Sequence, residues 1–234
     1  MKHDKIILLV GRSGSGKSTV ADILSRQYGR YILPSYTTRP KRFEREEGHI
    51  FVNNMFYEKV SRSRDIVAYT YFDNNHYWAT AQQVNENDIY IIDPDGVAFF
   101  RSHYWGPKQV VVVWLDCGWI SAASRMAAQG RSQDEIERRI ANDNVVFFDP
   151  AVVGPNVILH TENHSPEEIA EEIEGVLETR SNWIFMTIAM TVMDSSRSSR
   201  LVTNSIMTVI RNRFGRMELS VVAITNVALP LRST

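Results

Sequence analysis

The sequence predicts an α/β fold in which helices cover a mostly parallel sheet. Strand-like and helix-like segments alternate through the first 180 of its 234 residues, which is typical of folds built from β-α-β units. The run Val110–Leu115 is apolar and largely β-branched, as expected of a central strand buried on both faces. A glycine-rich stretch joins the first strand-like segment to the first helical one.

The first half of the chain begins with the apolar run Ile6–Val10, which predicts a buried strand. Thr19–Tyr28 follows with helical spacing of its apolar residues, and Tyr31–Leu33 predicts a short second strand. β-Branched and aromatic residues then predict strands at Ile50–Val52, Ile66–Phe72 and Asp88–Asp93, with a short helix at Asn54–Val60.

The second half continues this alternation after the central strand. Two helices, Trp119–Ala128 and Gln133–Asn142, flank a polar turn, and Val157–Leu159 predicts a last strand. The stretch Ser165-Pro166-Glu167-Glu168 has an N-cap serine, a proline at the first helical position and a capping-box glutamate. We expect a helix from there to about Glu178.

Residues 181–234 differ in composition from the rest of the chain. They contain six Arg, no Lys and two acidic residues, a net charge of +4, which places a boundary near residue 180. Leu201–Ile210 and Leu219–Leu231 are β-branched and could pair as a hairpin. We therefore predict a first domain, residues 1–180, and an accessory extension, 181–234. A hairpin, a poorly ordered extension and an out-of-frame artefact remain open for the extension.

The composition argues against several classes of partner. The formal net charge of -1 disfavours a general nucleic-acid binder. Cys117 is the only cysteine, so no intrachain disulfide can form and a reducing, cytoplasmic location is expected. The N-terminus does not resemble a signal sequence, and no apolar run approaches the roughly 18–20 residues of a membrane span. Nothing in the sequence indicates an oligomeric state.

The stretch Gly11–Ser18 fits the phosphate-binding loop pattern Gly-x4-Gly-Lys-Ser/Thr. Its glycines let main-chain N–H groups surround a phosphate at a helix N-terminus. Lys17 can reach the β- and γ-phosphates of ATP, and Ser18 can bind Mg²⁺. The predicted ATP-binding residues are Gly11, Arg12, Ser13, Gly14, Ser15, Gly16, Lys17, Ser18 and Thr19. The motif predicts the three-layer fold of P-loop NTPases.

A second basic motif follows the predicted second strand. Arg39 and Arg42 are three residues apart, and forked guanidinium groups are suited to a second phosphate. The alternative is a solvated basic loop. Of the nearby acidic run Glu44, Glu46 and Glu47, one residue could brace an arginine. A second anion site beside a phosphate loop suggests phosphoryl transfer between two nucleotides.

The segment Ser35–Arg42 resembles the acceptor-binding segment of guanylate kinases, which typically reads Ser-x-Thr-Thr-Arg-x-x-Arg. The resemblance covers about residues 5–179 and includes further segments in the family's order: Gly48–Val52, His76–Thr80, Ile92–Val97, Arg125–Arg131 and Ile136–Arg139. It implies a small acceptor-binding excursion at about residues 35–80 and an arginine-bearing lid at about 125–139.

The resemblance also implies roles for individual residues. Ser35 would contact the acceptor base, and Arg39, Arg42 and Tyr77 would hold the acceptor phosphate, with His49 in place of a phosphate-binding tyrosine. Asp93 would lie near the base and, with Ser18, near Mg²⁺, directly or through water. The residues expected to act on the transferring phosphoryl group are Lys17, Arg39, Arg125, Arg131 and Arg139.

The sequence departs from the family at the positions that read guanine. Ala68 replaces a glutamate, Ala79 replaces a serine or threonine, and Trp78, which could stack on a base, replaces a glycine. We predict a Mg-ATP-dependent nucleoside monophosphate kinase that acts on GMP, dGMP or a related monophosphate. The alternatives are a kinase for another phosphorylated acceptor (a different NMP or dNMP, or a ribose bisphosphate), a non-catalytic binding module, and a simple NTPase or nucleotide switch.

Overall fold

The computed structural model describes residues 3–178, 206–211 and 217–222 of the chain. The chain divides into two compact units, residues 1–183 and 184–234. In chain order, the elements of the first unit are β1 (Lys5–Val10), α1 (Lys17–Tyr28), β2 (Ser35–Thr37), β3 (His49–Phe51), α2 (Asn54–Val60), β4 (Ile66–Phe72), β5 (Asn75–Thr80), α3 (Ala81–Glu86), β6 (Ile89–Ile91), α4 (Pro94–His103), β7 (Gln109–Asp116), α5 (Trp119–Ala128), α6 (Gln133–Val146), a 3₁₀ turn (Pro150–Val152), β8 (Val157–His160) and α7 (166–178).

Four parallel strands form the central sheet, in the order β6-β1-β7-β8. β1 lies between β6 and β7, with Leu8 opposite Tyr90 on one side and Val112 on the other. Every residue of β1 is buried, which explains the continuous apolar sequence that follows Lys5. The carboxyl ends of these strands lie at one edge of the sheet, where ligands bind in open α/β folds.

The two faces of the sheet pack against different helices. On one face, Ile6, Leu8 and Val10 belong to the same core cluster as Val97 and Phe100 of α4. On the other face, Ile7 and Leu9 share a cluster with residues of α1 and α7: Val20, Ala21, Leu24, Ile169, Ala170, Ile173 and Leu177. The result is a three-layer α/β/α arrangement, so the fold class predicted from the sequence is confirmed.

A second, mixed sheet in the order β3-β2-β5-β4 forms the predicted excursion. β4 and β5 are antiparallel and joined by Asp73 and Asn74, both with positive φ, which is typical of a tight hairpin turn. The sequence alone predicted no secondary structure for residues 76–80, which belong to β5. Their partner strand β2 was also missed.

Two predicted boundaries were wrong for identifiable reasons. Tyr31–Leu33 is not a strand, and only an isolated bridge joins Ile32 to Ile89, because Pro34 has no N–H to continue the ladder. Helix α6 extends to Val146 rather than ending at Asn142. The polar run Asn142–Asn144 resembles a helix end, but it lies within the helix. Two of its side chains, Asp143 and Asn144, form hydrogen bonds with residues 12 and 13.

The capping box predicted at the last helix is present. The main-chain N–H of Ser165 donates to Glu168 Oε2 at 2.7 Å, and the N–H of Glu168 donates to Ser165 Oγ at 3.2 Å. These reciprocal bonds satisfy two of the donors that a helix N-terminus leaves unpaired. Helix α7 therefore begins where the sequence indicated.

The second unit contains two strands within the described residues, β9 (Ile206–Arg211) and β10 (Met217–Val222). They pair antiparallel, with Ile206 opposite Val222 and Arg211 opposite Met217. The hairpin pairing expected from the sequence is present over this shorter length, and the remainder of 201–231 lies outside the described residues. Every helix in the described part of the chain is too short or too polar to cross a membrane.

Candidate active site

The phosphate loop connects the carboxyl end of β1 to the first turn of α1. Gly14 has φ +77°, and a Cβ there would lie 2.6 Å from the carbonyl oxygen of Ala122, so a larger residue would clash. Gly16 has φ +94° and directly precedes α1. The exposed residues Ser18 and Thr19 follow in the first helical turn. The glycines are therefore required by the backbone path of the loop.

Lys17 is held by the loop that it belongs to. Its Nζ donates to the carbonyl oxygen of Gly11 at 2.6 Å and to that of Arg12 at 2.9 Å. Burial lowers the pKa of this ammonium group to about 8. A bound phosphate would place a negative charge beside this ammonium group and stabilise its charged form.

A cleft opens in front of the loop and consists of two cavities of about 350 and 290 Å³. The two cavities share the lining residues Ser13, Arg42, Thr70, Phe72, Tyr77, Asp93, Arg139 and Phe147. Of the residues predicted from the sequence, the cleft brings together Gly11, Ser13, Lys17, Ser35, Arg39, Arg42, His49, Tyr77, Asp93 and Arg139. Residues from the phosphate loop, the excursion and α6 thus line one continuous space.

Glu46 braces the arginine pair on the acceptor side of the cleft. Arg39 donates from Nη2 to Glu46 Oε1 at 2.8 Å and from Nη1 to Glu46 Oε2 at 3.1 Å, and the main-chain N–H of Arg42 donates to Oε2 at 2.6 Å. The hydrogen bond from Arg39 holds the pKa of this carboxyl at about 2. Of the three acidic residues Glu44, Glu46 and Glu47, the one that braces an arginine is therefore Glu46.

Positive charge accumulates on this side of the cleft. Burial and the neighbouring charges of Arg39 and Arg139 lower the pKa of Arg42. Arg39 retains a buried Nε without a hydrogen-bond partner. Burial also lowers the pKa of His49, whose Nδ1 lies 2.9 Å from Ser35 Oγ. An anion bound here would relieve the repulsion between guanidinium groups.

Asp93 caps the N-terminus of α4 at the floor of the cleft. Its Oδ1 accepts from the main-chain N–H of Gly96 at 2.7 Å and from Thr70 Oγ1 at 2.9 Å, and burial raises its pKa. In the described part of the chain, no three His, Cys, Asp or Glu residues group as metal ligands. Asp93 lines both cavities, whereas the exposed Ser18 lines neither, so Mg²⁺ binding by this pair stays a prediction.

The three predicted lid arginines lie in different surroundings. Arg139 lines both cavities, and its Nε donates to Glu135 Oε1 at 2.9 Å. Arg131 donates to the same oxygen at 2.9 Å and lines neither cavity. Arg125 lies behind the phosphate loop, where it donates to Gly14 O at 3.3 Å and to Thr161 O at 2.6 Å. The catalytic roles of Arg125 and Arg131 stay predictions.

Three of the positions expected to read a base are closed, whereas Ser35 lines the smaller cavity. Ala68 and Ala79 are fully buried, so neither is open to a ligand. Trp78 is only 1% exposed and stacks on Tyr36, with 5.3 Å between ring centroids. The suggestion that Trp78 stacks on a base was therefore wrong. Tyr90 is nearly buried and lines the smaller cavity instead.

Sequence reasoning missed several lining residues. Tyr90, Thr70, Phe72 and Phe147 line the cleft, and Asp143 bonds to the phosphate loop. The only sequence signal for Asp143 was the polar run near the end of α6. Such a run is typical of a solvent-exposed helix face. The others are ordinary strand or helix-end residues, so no local pattern distinguishes them.

Three comparisons with known proteins bear on this geometry. The family model described as the AAA domain matches residues 7–145. The crystal structure of guanylate kinase from Anaplasma phagocytophilum is similar, with a TM-score of 0.54 and 20% sequence identity, over 77% of this chain and 88% of that one. This likeness shows a shared fold. No curated protein sequence matches the chain significantly.

Proposed function

The chain belongs to the AAA domain family, and from this premise we propose that it is an ATP-dependent phosphotransferase with a phosphate-group acceptor. Its acceptor would be a nucleoside monophosphate: GMP, dGMP or a related monophosphate. One observation carries the proposal. The phosphate loop with Lys17 and the arginine pair Arg39 and Arg42 line the same cleft. An enzyme that only hydrolysed ATP would not need the second anion site.

The proposed chemistry depends on positioning and charge. The acceptor phosphate is already an anion, so no general base is required. Arg39 and Arg42 would orient the acceptor, while Lys17 and Arg139 would face the transferring phosphoryl group. Mg²⁺, held by Ser18 and Asp93, would neutralise phosphate charge on ATP when bound. Enclosure of the cleft would exclude water, which competes with the acceptor.

A second candidate acceptor is favoured by the closed base-reading positions. Ala68 and Ala79 offer no side-chain hydrogen bond, and unmet hydrogen bonds to a base discriminate strongly against it. A different NMP or dNMP, or a ribose bisphosphate, would satisfy the same phosphate-holding residues. The likeness of the fold does not distinguish these acceptors.

An acceptor panel tests the proposed function. ADP formation from Mg-ATP would be measured with GMP, dGMP, AMP, CMP, dTMP and ribose 1,5-bisphosphate, and without acceptor. We expect ADP formation that depends on one class of acceptor. Equal rates with and without acceptors would indicate an NTPase instead. Nucleotide binding without turnover would indicate a binding module.

Affinity for Mg-ATP should fall as pH rises from 7 to 9. The pKa of Lys17 is about 8, so its ammonium form prevails at pH 7 and is lost as pH rises through that value. If phosphate binds only the charged form, the dissociation constant increases about tenfold over this range. Titration calorimetry at each pH provides the measurement. Lys17→Met should bind weakly with no such pH dependence, and a flat profile in the wild type would contradict the assignment.

A further inference from the structure

Helix α6 is anchored on the phosphate loop by consecutive polar side chains. Asp143 Oδ2 accepts a hydrogen bond from the main-chain N–H of Ser13 at 2.6 Å. The next residue, Asn144, accepts through Oδ1 from Arg12 Nη1 at 3.2 Å. Asp143 is 6% exposed, so its carboxylate lies within the site rather than in solvent.

The position of the Asp143 carboxylate is one that a phosphate would be expected to take. Main-chain N–H groups of a phosphate loop are donors for anionic oxygens, and Ser13 lies within this loop. A carboxylate and a phosphate cannot both accept the same N–H in the same direction. Short charge-assisted bonds of this kind are among the stronger hydrogen bonds in proteins.

Asp143 also compensates the charge of Lys17. Burial lowers the pKa of Lys17. Among the neighbouring charges that raise this pKa again, Asp143 has the largest effect. The lysine ammonium otherwise contacts carbonyl oxygens of its own loop. In the absence of nucleotide, the carboxylate thus supplies the negative charge that ATP phosphates would bring.

The same helix carries Arg139, one turn before Asp143, and both line the larger cavity. A polyphosphate at the loop would repel Asp143 and attract Arg139. A bound polyphosphate would therefore act on two charges of opposite sign on one face of α6.

We propose that Asp143 is a positioning residue that occupies the donor phosphate site and must leave the N–H of Ser13 before ATP binds productively. The proposal rests on the function proposed above. Part of the binding free energy of ATP is used to displace the carboxylate, which weakens the apparent affinity for ATP. Displacement of Asp143 would also link the position of Arg139, on the same helix, to the binding of ATP at the phosphate loop.

The test compares Mg-ATP binding by the wild type and Asp143→Asn at pH 7, without acceptor. Asparagine has nearly the same size and can still accept from Ser13, but it carries no charge. We expect Asp143→Asn to bind Mg-ATP about five- to tenfold more tightly. Its KM for ATP should fall by a similar factor, without an increase in kcat. Asp143→Ala should show the same tightening, and thermal unfolding would show that both variants are folded.

Asn144→Ala is the matched control, because it removes the neighbouring helix–loop bond without changing charge. We expect its dissociation constant to stay within about twofold of the wild type. Unchanged or weaker binding by folded Asp143→Asn would overturn the proposal, as would equal tightening by Asn144→Ala. A wild-type protein that does not bind Mg-ATP would instead refute the proposed function.

Discussion

Replacing Lys17 by alanine is expected to reduce the kcat of phosphoryl transfer by about a hundred- to a thousandfold. Removing one preorganised charge from the developing negative charge of a transition state has effects of this size. Lys17 is the only lysine that lines the cleft in the described part of the chain, and the loop fixes its Nζ within 2.9 Å of two carbonyl oxygens.

The fold should survive this substitution. Burial lowers the pKa of Lys17, which means that the folded state disfavours its charged form. Removing the ammonium should therefore leave the melting temperature unchanged or slightly higher. Single-turnover measurements with saturating ATP and acceptor would isolate the chemical step. Arg26→Ala, on an exposed position of the same helix, is the control and should retain wild-type rates.

Lys17→Arg separates charge from shape. A guanidinium retains the positive charge but does not fit the two carbonyl acceptors as an ammonium does. We expect activity closer to the alanine variant than to the wild type. A loss of less than about tenfold in Lys17→Ala would mean that the loop does not hold the reacting phosphates.

The features predicted correctly from the sequence are those encoded by neighbouring residues. The phosphate loop needs glycines at fixed spacing between a strand and a helix, and Gly14 and Gly16 adopt the positive φ values that this requires. The capping box at Ser165 and Glu168 is likewise a local signal. Continuous apolar runs identified β1 and β7, because both faces of these strands are covered.

The remaining features depend on contacts between distant segments. Asp143 and Ser13 are 130 residues apart, so the sequence around either gives no sign of their bond. Arg125 has a sequence position suited to a lid, but it braces the loop from behind through Thr161. Trp78 lies in a segment expected to face a ligand, yet pairing of β5 with β2 buries its ring. Local patterns cannot indicate which side of a sheet a neighbouring element will cover.

Arg39→Ala should lower kcat/KM for the acceptor by about a hundred- to a thousandfold. The guanidinium is 11% exposed and held in the cleft by two bonds to Glu46, so its orientation is fixed before the acceptor arrives. A preorganised fork that binds phosphate costs little side-chain entropy at binding. KM for ATP should change much less, because Arg39 lies on the acceptor side. Arg45→Ala, an exposed residue of the same loop, is the matched control.

This substitution also leaves a buried carboxylate without its partner. Glu46 is 9% exposed, and removing Arg39 should raise its pKa from about 2 and lower the melting temperature. The double variant Arg39→Ala/Glu46→Gln removes that charge as well. If Arg39 acts on the acceptor, the double variant should regain stability without regaining activity. Recovery of both would show instead that Arg39 only neutralises Glu46, and the second anion site would have to be placed elsewhere in the cleft.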